Sequence, residues 1–551
     1  MAKRYLLLVA LLAGLFSSAP LFVLPQGGDS IFHYVLIKNF AEQLWSGILL
    51  PQWCVECNNQ RGSPVFLFYF PLPYYLTSII YPVSALGFSM QHIYALSTAV
   101  AGAITFLSCY VWLRTSFRVN VSLAIAFLCL WMPYRIELLY QRSAFAELWA
   151  LAFIPLIFWA LKKFSMNYSK YWAYLCLIIA VCLLCHVPTT IIALGGGLFI
   201  FLVSRLFSKQ DCSDIWIPIS SAVIGVGLVC FHILPAKAMM EFLSPEGLSF
   251  ARNVWSNAFL DVAALSKTVP NVLLNSAEGI VVCFIAAIAV FIKRKHITEM
   301  LRAHTFAWLT LIPVSIFLML TASKPIWDLL VPIDILHTPW RLQLLIMLGS
   351  VYFFALYADC MLSGKQKMNV RMDYASLCIL FVFMALSSYL MGQNNTALRK
   401  EIVDKNLIQA SEYQTKWVDG YNLHTMQHTL NESTKVSAGG ALHEVHIEQW
   451  NSKEITFSIT LNKSDTIKIH HHYFPIWRAY NNDAEIALHP EQGSGLMSVT
   501  LPAGSHRIML KKDLASILPF YARYSWIISL LSAVMLLVVL HRHRRIIVST
   551  A

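Results

Sequence analysis

The chain has 551 residues, of which 57% are hydrophobic and 13% charged, and its mean hydropathy is +0.60. Repeated apolar stretches of roughly 15–22 residues exclude an ordinary soluble domain and predict a polytopic helical membrane protein. The net charge of +12 does not mark a nucleic-acid binder, because the basic residues lie in short loops between apolar stretches, as cytoplasmic loops do.

The first apolar stretch, Tyr5 to Leu24, follows only Lys3 and Arg4. Ser17-Ser18-Ala19-Pro20 is a poor cleavage site, so the stretch reads as a retained helix. Further basic clusters mark cytoplasmic loops: Arg114 with Arg118, Lys162-Lys163, Arg205 with Lys209, Lys293-Arg294-Lys295, Lys365 with Lys367 and Arg371, and Arg542 to Arg545. Between them the predicted spans are 5–24, 93–113, 119–134, 146–161, 171–186, 190–204, 215–234, 277–292, 304–321, 342–359, 375–391 and 522–540. An even count puts both termini inside. The apolar segment 64–90 is broken by Pro71, Pro73 and Pro82 and reads as a re-entrant or interfacial pair. If it crosses twice, the total becomes fourteen.

The first outer loop, 25–63, carries Gly27-Gly28-Asp29-Ser30-Ile31-Phe32-His33 at the exit of the first helix. Asp29 and His33 are four apart, so on a helix they share a face. They read either as a base with its orienting neighbour or as the N-cap and first turn of a helix over 30–45. Cys54 and Cys57 form a C-x-x-C pair in an oxidising outer compartment and read as a local disulfide. Most of the other cysteines lie within apolar stretches, where they act as small hydrophobes.

The segment 135–145 is the next outer loop. Around it, Arg135, Glu137, Arg142 and Glu147 alternate in charge at a bilayer boundary. The arginines could grip a phosphate, with the glutamates holding their planar forks in place. The competing reading is snorkelling arginines with local salt bridges. His186 stands at a helix end before Pro188, where a structural hydrogen bond is the ordinary role. Lys237 and Glu241 open a long loop, 235–276, and are equally open to either reading. Trp340-Arg341 begins the helix after 322–339, and Arg341 is either a second phosphate ligand or an interfacial anchor.

The stretch 392–517 is a soluble outer domain between membrane segments. Ile455, Phe457, Ile459 and Leu461 alternate as in a half-buried strand, and Thr466 to His472 reads as another. Asn481-Asn482-Asp483 and Pro502-Ala503-Gly504 are turn signals. The expectation is a small antiparallel β-sandwich. On a strand, His470, His471 and His472 would face alternate sides and make no chelating group. The domain layout is thus 1–391 transmembrane, 392–517 mainly β, and 518–551 a final helix with a basic cytoplasmic tail.

The order of these pieces resembles a known family. It runs from Gly28-Asp29-Ser30-Ile31-Phe32-His33 through Trp45-Ser46-Gly47-Ile48-Leu49-Leu50-Pro51-Gln52-Trp53 to Gly62-Ser63-Pro64-Val65-Phe66-Leu67-Phe68-Tyr69-Phe70-Pro71. It continues with Tyr140-Gln141-Arg142, Glu147, His186-Val187-Pro188-Thr189 and Thr338-Pro339-Trp340-Arg341, and ends with Tyr473-Phe474-Pro475-Ile476-Trp477-Arg478-Ala479-Tyr480 and Leu501-Pro502-Ala503-Gly504-Ser505-His506. The pattern is similar to bacterial membrane proteins labelled 6-pyruvoyl-tetrahydropterin synthase-related and to YfhO-like proteins, both of which resemble the GT-C glycosyltransferase superfamily. No zinc-histidine pterin site is recognisable.

The resemblance implies a GT-C-like domain of about 12–14 transmembrane helices with a C-terminal extracytoplasmic β-sandwich, in the bacterial inner membrane, its active site facing the periplasm. It implies an inverting glycosyltransferase that moves a sugar from a polyprenyl-phosphate donor to a cell-envelope glycan, polymer or lipid acceptor. Asp29 would be the base, with His33 beside it. Arg142, Arg341 and Arg135 would hold the donor phosphate, supported by Glu137, Glu147 and His186. No cofactor is required, and a divalent metal is optional because arginine can neutralise the leaving phosphate. Besides membrane lipids and these substrates no partner is implied. The rival readings are a lipid-linked glycan transporter or flippase, an O-antigen-type polymerase or ligase, and an assembly subunit acting through its β domain. A transporter would place charge near the bilayer midplane, often in repeated halves, whereas here the polar residues gather at one face.

Overall fold

The computed structural model describes residues 3–23, 28–58, 60–164, 168–209, 213–245, 259–260, 299–329, 338–362, 413–418, 435–438 and 444–550. The expected spans 277–292 and 375–391, the basic clusters at 293–295 and 365–371, and the boundary at 391–392 lie outside them. Six described helices are long and apolar enough to cross a membrane, or eight if each of two bent pairs is one span. Two shorter apolar helices, Lys170–Cys185 and Ser525–His541, add to these. The chain is therefore a polytopic helical membrane protein with a β region near its C-terminal end.

Helix α1 (Lys3–Ser18) turns Leu8, Leu12 and Phe16 outward, as a lipid-facing helix does, and buries Ala10 and Ala13. It packs on α5 (Met90–Leu113) through small residues, which lets the backbones approach closely. A Cβ on Gly14 would lie 2.2 Å from the Ala99 carbonyl oxygen. Between them the chain forms α2 (Ser30–Trp45), then α3 (Val65–Phe68) and α4 (Leu72–Ser78), all too short to span.

Two expected spans are bent. The expected 119–134 is α6 (Val119–Cys129) followed, at an angle of 41°, by α7 (Pro133–Ile136) and a π-helical turn Glu137–Gln141. Pro133 cannot continue the hydrogen-bond ladder and holds Met132 extended, at ψ 138°. The expected outer loop 135–145 is consequently helical as far as Gln141. The expected 215–234 is α12 (Trp216–Leu228) and α13 (Cys230–Met239), bent by 68°, so the loop expected from 235 begins later.

Helices α8 (Phe145–Phe153) and α9 (Pro155–Lys163) form one span. Then come α10 (Tyr168–Cys185), α11 (Val187–Phe207), α14 (Glu299–Met319), α15 (Gln343–Leu362) and the final α16 (Ser525–Thr550). The last docks beside α12, where Ser529 Oγ donates to the Gly227 carbonyl at 3.0 Å.

The β region has two antiparallel sheets. One orders strands β1 (Val436–Ala438), β4 (Asp465–His472), β8 (Leu496–Leu501) and β7 (His489–Pro490) as β1-β4-β8-β7. The other orders β2 (Glu444–Trp450), β3 (Glu454–Leu461), β9 (Gly504–Lys512), β5 (Trp477–Asn481) and β6 (Ala484–Ile486) as β2-β3-β9-β5-β6. Ile455, Phe457, Ile459 and Leu461 all point into the core between them. Asn482 and Asp483 take φ of 47° and 68°, as a two-residue hairpin turn between β5 and β6 requires.

The histidine run departs from simple alternation. A register shift between Ile469 and His472 leaves His470, His471 and His472 all buried. Two of them dock the β region onto the first loop: Trp53 Nε1 donates to His471 Nε2 at 2.6 Å, and the His472 backbone N–H donates to the Arg61 carbonyl at 2.6 Å. That loop is closed by a Cys54–Cys57 disulfide and by paired backbone bonds between Cys54 and Ser63.

Candidate functional site

The site is assembled where the start of α2 meets the end of the π-helical turn. Gly28 has a φ of +57°, and a Cβ there would lie 2.3 Å from the Arg142 carbonyl oxygen. The Asp29 backbone N–H donates to that same carbonyl at 3.0 Å, while the Asp29 carbonyl accepts from His33 N–H at 3.0 Å and starts the helix. Asp29 thus stands at the N-cap position, yet its side chain makes no capping hydrogen bond. The carboxylate stays accessible. Crowding by the protein around it raises its pKa above the usual carboxylate value, and the nearby Arg142 charge opposes that rise in part.

Arg142 is presented by an irregular backbone. Its N–H donates to the Glu137 carbonyl five residues back, at 2.9 Å, which closes the π-turn. The next residue, Ser143, is fully buried at a φ of 52°, a conformation that costs a non-glycine residue energy and recurs at functional sites. The chain then enters α8, whose first turn carries Glu147.

Glu147 is the hub. Its side chain is 2% exposed and receives Arg142 Nη1 at 3.3 Å and Arg341 Nε at 3.5 Å. The Tyr134 hydroxyl donates to its other oxygen. The Arg142 guanidinium also lies over the Trp340 ring, 4.2 Å from its centre, and Arg341 lies 5.9 Å from the same ring. Arg142 keeps 26% of its side chain exposed, against 11% for Arg341. Tyr134, Arg142 and Glu147 thus form one charged cluster with Arg341, some two hundred residues further on, and Asp29 hangs from its most exposed member. Glu137 acts electrostatically on Arg142, and His186 on Glu147.

Other sequence candidates are placed elsewhere. Arg135 is fully buried and donates to the Leu130 carbonyl at 2.7 Å and to Ser17 Oγ at 3.4 Å, so it braces α1 rather than joining the cluster. His33 bonds the Tyr74 hydroxyl through Nδ1 at 2.8 Å and lies 5.4 Å from the Phe145 ring. Burial pushes its pKa down to about 3, so the ring is a neutral wall group. His186 caps α11, with Nδ1 2.5 Å from Thr189 Oγ1 and accepting from the Thr189 N–H. Lys237 and Glu241 are exposed near the end of α13. Among the described residues no three His, Cys, Asp or Glu side chains form a metal-binding group.

The sequence assigns two members of the cluster no role in holding phosphate. Tyr134 stands thirteen residues before Glu147, a separation with no periodic meaning across a broken helix. Trp340 enters the sequence reading only as an aid to Arg341 at the interface, and its service as a platform for Arg142 depends on a tertiary contact.

No family model matches the chain. A protein of Lactococcus lactis subsp. cremoris, described only as uncharacterized, is 26% identical over 241 residues, which is 42% of this chain and 38% of that protein. Among solved structures, arabinofuranosyltransferase AftD from mycobacteria is 16% identical with a TM-score of 0.47, over 71% of this chain and 27% of that one. A mutant form of AftD is 15% identical with a TM-score of 0.45, over 71% of this chain and 28% of that one. The chain thus spans well under half the length of each of these proteins.

Proposed function

We propose that the protein is an inverting membrane glycosyltransferase that takes a sugar from a polyprenyl-phosphate donor and passes it to an acceptor hydroxyl on the extracytoplasmic side. The observation that carries this reading is the convergence of Arg142 and Arg341 on Glu147, beside a carboxylate that its own helix does not use. It fits the sequence resemblance to GT-C enzymes, in which an acidic residue of the first outer loop serves as base.

The chemistry follows from these groups. The Asp29 carboxylate takes the proton of the acceptor hydroxyl as its oxygen attacks the anomeric carbon. The bond from that carbon to the donor phosphate breaks, and the phosphate leaves with the electron pair. One displacement inverts the anomeric configuration. Charge builds on the leaving phosphate, and guanidinium donors fixed before the reaction stabilise it without reorganising. Glu147 and Trp340 hold Arg142 in place, while its exposed portion meets the ligand. A raised Asp29 pKa makes the group a better proton acceptor than an ordinary surface carboxylate.

The test compares donor and acceptor kinetics with purified protein in lipid discs. Arg142→Ala is expected to raise KM for the polyprenyl-phosphate sugar roughly tenfold or more, the worth of about one charge-assisted contact, with little change in acceptor KM. Equal losses for donor and acceptor would assign Arg142 to a structural salt bridge instead.

A further inference from the structure

A second charged cavity lies at the other end of the helices. α11 starts beside the cluster at His186 and reaches Arg205 nineteen residues later, about 28 Å along its axis, so the two ends lie near opposite membrane faces. There a cavity of about 90 Å³ is lined by Lys162, Ser204, Ser208 and His304, and walled by Trp112 and Trp308. Arg205 also borders it, paired with Asp214 at 3.0 Å and stacked over Phe201 at 4.6 Å.

Lys162 is the informative residue. Its ammonium has three donors and bonds the Ser116 hydroxyl, and the like charge of Lys163 acts on it. No described carboxylate pairs with it. A half-buried ammonium that no described carboxylate neutralises is costly and asks for an anion. Among the described residues, the lining of the cavity beside it holds no Asp or Glu. Its volume is far below the several hundred Å³ typical of a drug-sized ligand site, and suits one small anionic group. Near the same ends of α11 and α14, Phe207 and Phe306 stack at 4.7 Å and are 47% and 42% exposed, a surface on which acyl chains can lie.

We infer that this cavity binds the phosphate of an anionic phospholipid from the leaflet opposite the candidate active site, with Lys162 as its principal cation and Arg205 and His304 beside it. The phosphate pairs with the Lys162 ammonium, and the acyl chains follow the Phe207–Phe306 edge. This site is independent of the proposed transfer chemistry.

The test is a titration of the full-length protein in detergent, read by tryptophan fluorescence and thermal stability. The probes are short-chain phosphatidylglycerol, phosphatidylcholine with the same chains, and inorganic phosphate. Phosphatidylglycerol is expected to bind at least tenfold more tightly than either of the others. Equal binding of phosphatidylcholine would overturn anion recognition, and equal binding of inorganic phosphate would overturn the lipid as its source. Lys162→Met is expected to weaken phosphatidylglycerol binding at least tenfold, with Lys162→Arg restoring most of it. Unchanged binding in a folded Lys162→Met protein would contradict the assignment. The wild-type titration decides the question even if that variant fails to fold.

Discussion

A carboxylate at the start of a helix is ordinarily consumed by the helix, because the first backbone N–H groups need acceptors. Asp29 occupies that position and leaves the work undone, its backbone tied instead to Arg142. Its pKa lies above the ordinary value because the surrounding protein disfavours the charge more than Arg142 favours it. In the proposed mechanism the charged form is the base, so kcat/KM is expected to fall as pH drops through that raised value, at a higher pH than a solvent-exposed aspartate would give. A pH–rate profile reads this directly, and Arg142→Gln, which removes the opposing charge, should move the acid limb still higher. The i, i+4 pairing of Asp29 with His33 was legible in the sequence, but its meaning was not. The His33 ring turns to Tyr74, and only tertiary packing decides that.

At the scale of elements, the candidate site is built on backbone that is not regular. Gly28 and Ser143 both take positive φ, and between them they fix how α2 meets the π-helical turn. Gly28→Ala is expected to destabilise the fold by about 1–2 kcal/mol from its left-handed backbone alone, plus the clash with the Arg142 carbonyl, and to depress transfer. Thermal unfolding together with the transfer assay measures both. Sequence periodicity found the long apolar helices and the alternating β3 strand, because burial of one face writes itself into spacing. It missed the bends at Met132 and Val229 and the register shift in β4, since these depend on what packs across them. The shift has a consequence of its own. Burial lowers the pKa of His471 to about 3 and of His472 to about 4. Both are neutral in the folded protein and ionise near 6.5 once released, so docking of the β region is at full strength above about pH 6.5. It weakens as pH falls from there toward 4, by at most about 1.4 kcal/mol per pH unit for each histidine. Hydrogen-exchange protection at Trp53 and Gly62, corrected for the intrinsic pH dependence of exchange, should fall over that window. Protection that stays flat between pH 7 and 4.5 would contradict it.

For the whole molecule, the layout separates two charged sites along the length of the helices. The arginine–glutamate cluster and Asp29 gather near the starts of α2, α8, α11 and α15, with the β region docked on the neighbouring loop. Lys162 and its cavity sit at the far ends of α9 and α11. The sequence made the polarity of this layout visible, because charge is excluded from the span centres and collects at their ends. It could not show that Arg142 and Arg341, some two hundred residues apart, share the single carboxylate of Glu147, or that Arg135 faces α1 instead. The central claim is that Asp29 is the base of a glycosyl transfer supported by that cluster. Its most direct test is single-turnover transfer from a polyprenyl-phosphate sugar by wild-type and Asp29→Asn protein in lipid discs, with folding and donor binding checked in parallel. Loss of a general base predicts a fall of about a hundredfold or more in the transfer step, with donor affinity and thermal stability retained. Wild-type turnover in a correctly folded Asp29→Asn protein would contradict the account.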